Sequence, residues 1–331
     1  MNSDRVYLTA VYCWTLRVLL AAICGAWAVT GAAAEPFPSR RIELIVPFPP
    51  GGTSDISARL LATKWNEFLG QPVVVVNKPG AGSALGAKYV ADAKPDGYTL
   101  LSATDSPMIT VRMTQDTGYD LNSFTYLFAY AKGTTYFLVR ADSPWKTFKD
   151  LVEEAKQKPM TLSYASYGEG TVGHFSAEMA WRSAGAKLLF VPFKSSPEAV
   201  NALMGGHVDI AVTASALGLG KEGSRARVLV TMASERQPQN PNIPTVKEFG
   251  YPVSLDYLTM IAGPKGLPAE VTEKLISTYR SAYAKYTDEI NAALIKMELV
   301  PTELDSAAIT TVWSERENAF REMAPAMGLK K

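Results

Sequence analysis

Ile42-Glu43-Leu44-Ile45-Val46-Pro47-Phe48-Pro49-Pro50-Gly51-Gly52-Thr53-Ser54-Asp55 is the stretch that decides how this chain folds. Its first five residues are β-branched or leucine around a single glutamate, the composition of a buried strand. Pro47, Pro49 and Pro50 cannot donate to a strand ladder, so the strand stops at Val46, and Gly51-Gly52 allows a sharp turn. Thr53 or Ser54 then caps a helix in which Ile56, Leu60, Leu61, Trp65 and Phe68 keep one apolar stripe. Strand, glycine loop and helix are the opening half of a β-α-β unit.

The same grammar continues outward. Residues 73–76, four consecutive valines, read as a strand closed by the loop Lys78-Pro79-Gly80-Ala81-Gly82. A short helix over 83–93, the turn signal Pro95-Asp96-Gly97 and a strand over 98–103 follow. A second series begins near Tyr136, with strands predicted over 137–139, 162–165, 188–191, 208–212 and 228–230. Thr147 with Asp150 forms a capping box for a helix to 158. A further helix spans 171–184, and in the next Ser196 caps and Pro197 takes the first turn of a helix to Met204. Residues 237–244 are loop, 258–261 return to an extended run, and helices over 268–297 and 306–323 finish the chain. This pattern predicts an α/β fold with mostly parallel sheets. Residues 35–136 with 258–331 form one lobe and 137–257 the other. No Ser/Gly-rich or charge-blocked tether separates them, so strand crossings join them, as a hinge-closing clamshell requires.

Before all this stands a leader. Arg5 and Arg17 precede the apolar run 18–29, which ends in Ala32-Ala33-Ala34 ahead of Glu35-Pro36: a cleavable secretory signal peptide over 1–34. The run is shorter than the roughly 20 residues a spanning helix needs. Cys24 follows Ile23 rather than a small residue, which argues against lipid attachment. The leader holds both cysteines of the chain, Cys13 and Cys24, so the exported protein has no disulfide framework and rests on its core. It also holds two of the 33 Lys and Arg and one of the 32 Asp and Glu, leaving 31 of each. A neutral chain argues against a nucleic-acid or anionic-membrane surface. The expected location is the periplasm.

Four strand-to-helix loops carry the chemistry: 48–53, 78–83, 166–171 and 193–196. Each delivers glycines or hydroxyls to a helix N-terminus, where unpaired N–H groups favour an anion. A small carboxylate suits such a site and needs no arginine cluster. Gly168-Glu169-Gly170-Thr171-Val172-Gly173 also fits the dinucleotide fingerprint, but the next strand ends in Phe193-Lys194-Ser195 without the ribose-binding acid. An exported oxidoreductase is therefore the second reading. With two histidines and no exported cysteine, a His/Cys metal site is not expected, nor is a cofactor. His174, at a helix N-terminus, reads as a neutral structural group or ligand donor, and His207 as a solvated turn residue. Asp55 sits in a first helical turn, complementing the dipole.

Several segments together resemble the substrate-binding proteins of tripartite tricarboxylate transporters, the Bug family. They are 45–55, Asn77-Lys78-Pro79-Gly80-Ala81-Gly82-Ser83, Pro95-Asp96-Gly97-Tyr98-Thr99-Leu100, Tyr164-Ala165-Ser166 leading to His174, Val191-Pro192-Phe193-Lys194, and Ile243-Pro244-Thr245-Val246. The resemblance implies a two-lobed, type II-like periplasmic binding protein without catalysis. It implies a monomer closing on a small organic acid, and delivery to membrane permease subunits; a receptor feeding a sensor kinase is the variant reading. It also implies two pincer loops, here matching Phe48, Gly52, Thr53 and Asp55 on one side and Ser166 and Gly168 on the other, with Ser83. Two positions depart from the family. Thr213-Ala214-Ser215 lacks the aspartate many relatives carry there, which weakens an amino-acid ligand. Asp105, within Thr104-Asp105-Ser106-Pro107-Met108, would repel a second carboxylate unless it faces a water or a cation.

Overall fold

The proline–glycine loop does part a strand from a helix. In the computed structural model, which describes residues 36–216 and 223–323, β1 (Ile42–Val46) leads to α1 (Thr53–Leu69). The expected leader, with both cysteines, lies outside the described residues. The chain divides into a unit of residues 1–39 and a unit of residues 40–331, and the second carries every element named here. After α1 come β2 (Val73–Asn77), α2 (Ala84–Ala91), β3 (Thr99–Thr104), β4 (Phe124–Gly133) and β5 (Tyr136–Arg140). Then follow α3 (Phe148–Gln157), β6 (Ser163–Ser166), α4 (Val172–Ser183), β7 (Leu189–Pro192), α5 (Ser196–Met204), β8 (Ile210–Thr213) and β9 (Ala226–Thr231). β10 (Tyr257–Pro264), α6 (Ala269–Lys296), β11 (Val300–Asp305) and α7 (Ser306–Met323) complete the series.

The strands form two sheets, β11-β4-β10-β3-β1-β2 and β7-β6-β8-β5-β9. Parallel pairing is confined to β2-β1-β3 and β7-β6-β8; β10, β11 and β4, like β5 and β9, run antiparallel to their neighbours. The sheets are thus mixed rather than mostly parallel. Part of the difference comes from β4 and β11, which the sequence pattern did not reveal, and the rest from β5, β9 and β10, whose direction it did not show. β4, Phe-Thr-Tyr-Leu-Phe-Ala-Tyr-Ala-Lys-Gly, is buried along most of its length, so it shows no alternation to read. The capping box at Thr147 is present, with Thr147 Oγ1 accepting from the Asp150 amide. The cap of α5 falls on Ser195, one residue before the expected Ser196: its side chain accepts from the Glu198 amide, and Pro197 sits within the first turn.

Each sheet has an aromatic core. In the six-stranded half, Trp65 of α1, Phe128 of β4 and Tyr279 of α6 pack together, Phe128 stacking on Tyr279 at 3.6 Å between centroids. The Trp65 indole N–H donates to Thr278 Oγ1 at 2.9 Å, so this buried polar group is satisfied. In the five-stranded half, Phe137, Phe148 and Trp181 form a comparable trio.

The chain crosses between the halves at Thr134-Thr135, both buried, and returns through 232–256. The two crossings touch. The Met232 amide donates to Thr135 O at 2.9 Å, Thr231 Oγ1 to the same oxygen at 3.0 Å, and Thr134 Oγ1 to Leu255 O at 3.2 Å. The two crossings thus form a short double strand tied by three hydrogen bonds.

Phe128 joins both helices to the sheet, so Phe128→Ala should cost about 3–5 kcal/mol in urea unfolding. A loss below about 1 kcal/mol would show that this cluster does not hold the six-stranded half together.

Candidate binding site

α1, α4 and α5 point their N-termini at one cavity. It holds about 470 Å³ of free space, counting its mouth. The six-stranded half contributes Phe48, Pro49, Gly52, Thr53, Ser54, Thr104, Ser106 and Tyr257; the five-stranded half contributes Tyr167, Val172, Lys194, Ser195, Ser196 and Ala214. Among the described residues, Lys194 is the one charged residue in this lining.

The three helix ends are not equivalent. α1 begins after Gly52, whose extended backbone (φ −80°, ψ 166°) brings no capping side chain. The first helical bond is Ile56 N–H to Gly52 O, and the Thr53 and Ser54 amides have no hydrogen-bond partner among the described residues. At α5, Ser195 Oγ takes the Glu198 amide and Pro197 has no N–H, which leaves the Ser196 amide. At α4, by contrast, the protein fills its own site. The Val172 amide donates to Ser106 Oγ at 3.0 Å, and the Gly170 amide just ahead donates to His174 Nδ1 at 3.1 Å. The open anion-favouring ends are those of α1 and α5, one from each half.

The first loop is braced from behind. Asp55 is buried and lies outside the cavity lining. Its carboxylate accepts from the Gly51 amide at 2.9 Å and from Asn77 Nδ2 at 2.9 Å, and pairs with Arg59. Burial alone would raise the Asp55 carboxyl; Arg59, the Gly51 amide and Asn77 together outweigh it and hold the group below its ordinary value. Asn77 Nδ2 also donates to Phe48 O at 3.0 Å. Gly51 sits at φ +83°, the left-handed region that glycine occupies without strain.

Of the residues expected from sequence, Phe48, Gly52 and Thr53 line the cavity, and the others lie behind it. Ser83 and Ser166 are buried, their hydroxyls without a hydrogen-bond partner. A Cβ on Gly168 would lie 3.8 Å from the Gly82 Cα, and one on Gly82 would lie 2.7 Å from Glu169 O, so these two glycine loops touch across the halves. Thr213 is buried and donates to Ser215 O at 2.8 Å. Asp105 is fully buried, hydrogen-bonded to Arg316 and accepting from the Leu258 amide at 2.7 Å. Burial pushes its carboxyl upward against the stabilising Arg316 and Leu258. The cation it faces belongs to α7, so Asp105 presents no charge to the cavity.

His174 is nearly buried and stacked on Phe190 at 4.0 Å. Its Nδ1 accepts a backbone proton, which places the ring proton on Nε2, and burial lowers its pKa to about 4. Lys194, Ser195 and Ser196 belong to loop 193–196 and Tyr167 to loop 166–171, both marked by the sequence, and Val172 falls in the fingerprint segment, whereas Thr104, Ser106, Ala214 and Tyr257 gave no compositional signal.

Several contacts hold the halves together around the cavity. Tyr257 Oη donates to Ala214 O at 3.3 Å. Glu298 lies just beyond α6 in a left-handed conformation (φ +62°), buried. Its carboxylate accepts from Ser215 Oγ at 2.9 Å, from Asn240 Nδ2 at 3.1 Å and from the Ala216 amide. One carboxylate of the six-stranded half thus gathers three donors from the other.

Two sheets joined by a paired crossing, with a cavity between them, define a periplasmic-binding-protein fold. A profile of the tripartite tricarboxylate transporter family receptor matches residues 57–329, and the chain belongs to that family, whose members are periplasmic binding receptors rather than enzymes. It is 32% identical over 324 residues to the "UPF0065 protein in gbd 5'region" of Cupriavidus necator, covering 94% of this chain and 97% of the relative. It is similar to the structure of the periplasmic binding protein BugD (26% identity, TM-score 0.81, 89% of this chain and 100% of that one). It is also similar to R. palustris Rpa4515 with adipate (28% identity, TM-score 0.82, 89% and 99%). Among the described residues no helix is long and apolar enough to cross a membrane.

His174 makes the acid stability of the fold testable. Its folded pKa lies below the ordinary 6.5, so the unfolded chain binds the proton more tightly and stability falls as the pH drops from about 6.5 towards 4. Between pH 7.5 and 4.5 the wild type should lose about 2–3 kcal/mol more than His174→Gln, measured by urea unfolding. Equal losses would contradict a buried neutral imidazole.

Proposed function

We propose that the protein is an extracytoplasmic receptor that captures a small organic carboxylate between its lobes for the membrane permease subunits of a tripartite tricarboxylate-type transporter. The observation that carries this is the convergence of two open helix N-termini, α1 and α5, with Lys194 on one cavity. The amides of Thr53, Ser54 and Ser196 hold one carboxylate. Phe48 and Gly52 shape its seat, and Asp55 positions the loop. Residues 137–257 move as the second lobe about the Thr134-Thr135 crossing. Charge-assisted hydrogen bonds contribute roughly 1.5–3 kcal/mol each. Two or three of them, less the ordering cost, give binding near micromolar, about −8 kcal/mol. A relative that holds adipate supports a dicarboxylate, whose second group lies within reach of Lys194.

The oxidoreductase reading fares worse on a specific count. The loop that fits the dinucleotide fingerprint has its Gly170 and Val172 amides taken by His174 and Ser106, so it offers little to a pyrophosphate.

A Cβ on Gly52 would meet only Pro49 O, at 3.8 Å, so Gly52→Val has backbone room and fills the ligand's space instead. With adipate at about 1,000 times its Kd, ligand linkage adds about 4 kcal/mol to the wild type, a clear rise in melting temperature. Gly52→Val should melt as the wild type does without ligand and show no rise with it. A rise as large as the wild type's would overturn the assignment of this loop.

A further inference from the structure

A second cavity, about 820 Å³ of free space counting its mouth, lies against the same two helix ends. Gly52, Thr53 and Ser196 line both cavities, so a carboxylate seated on the Thr53 and Ser196 amides has one chamber on each side. The chambers differ in chemistry. The first is ringed by hydroxyls and Lys194. The second carries Ile56, Pro197, Val200 and Met297 beside the polar Asn201 and Ser215, and among the described residues no charged side chain lines it. Ile56 is 44% exposed. It lies one turn into α1 and faces α5 residues across the gap between the halves.

We infer that the second chamber is a subsite for an uncharged hydrocarbon arm of the ligand. The protein then takes acids with one alkyl or aryl arm running past Ile56 and Val200, besides compact diacids kept wholly in the first chamber. This rests on the reading of the first cavity as a carboxylate site. A second carboxylate finds no cation in the outer chamber, whereas a methylene chain covers apolar surface that is otherwise wet. Each methylene fully buried there strengthens binding by up to about fourfold.

The test is calorimetric titration of the exported chain with straight-chain monocarboxylates from butyrate to decanoate and with phenylalkanoates. The wild type and the double variant Ile56→Asn/Val200→Asn are compared, with ligand-free melting curves to confirm that both are folded. Both substitutions are neutral, so they do not disturb the field at the carboxylate. Affinity should rise at least tenfold from butyrate to octanoate in the wild type. The rise should flatten in the double variant while butyrate binding stays unchanged. Flat or falling affinity with length, when butyrate still binds, would overturn the subsite alone. An undiminished rise in a folded double variant would overturn its location. Should the double variant not fold, Ile56→Asn alone, at an exposed position, carries the same comparison. No binding of any acid, adipate included, would overturn the carboxylate reading beneath it and the subsite with it.

Discussion

The first turn of an α-helix leaves amide protons with no partner inside the helix, and they must be met by something. Most of this structure follows from how those amides are treated at three helix ends brought to one place. At α4 the chain supplies its own acceptors, Ser106 Oγ for Val172 and, just before the helix, His174 Nδ1 for Gly170. At α1 and α5 the acceptors are missing: Gly52 has no side chain to cap with, and Ser195 reaches only Glu198. In the function proposed above, an anionic ligand completes what the sequence leaves open, and backbone groups rather than an arginine cluster hold it.

One open end lies in each half, so a carboxylate held as proposed would also bridge the halves. The protein supplements that bridge with its own cross-contacts, of which Glu298 is the most concentrated. Its left-handed backbone is a conformation that disfavours residues other than glycine, and three donors from the five-stranded half compensate for it. The Glu298 tie and the paired crossing sit on different segments, 298 against 134–135. In the proposed function a ligand would favour a closed form only by its greater affinity for it.

The sequence made the alternating elements and the four glycine loops legible, because prolines, glycines and hydroxyls mark strand ends and helix starts by known backbone chemistry. It did not reveal β4, since a strand covered on both faces has no period to detect. The site was legible to the level of the loop and less so to the residue. At three strand ends the cavity-facing residue is the neighbour of the one singled out: Thr104 and Ser106 flank Asp105, Tyr167 stands between Ser166 and Gly168, and Ala214 follows Thr213. Neighbouring side chains face different ways, alternately on an extended segment and around the helical turn that begins at Asp105 (φ −57°, ψ −23°), so a shift of one position exchanges cavity for core. Asp105 shows the consequence. As a loop residue it signals a charge in the cleft; its partner Arg316, 211 positions later, is not visible from its neighbourhood and brings that charge into the core.

The central claim is that backbone amides at two helix ends hold a carboxylate, and amide chemical shifts observe it directly. In 1H–15N spectra of the exported chain titrated with adipate, the Thr53 and Ser196 amides should move downfield together and saturate. The uncharged analogue 1,6-hexanediol should leave them in place. Saturable adipate binding with those two amides unmoved, or equal shifts with the diol, would contradict it.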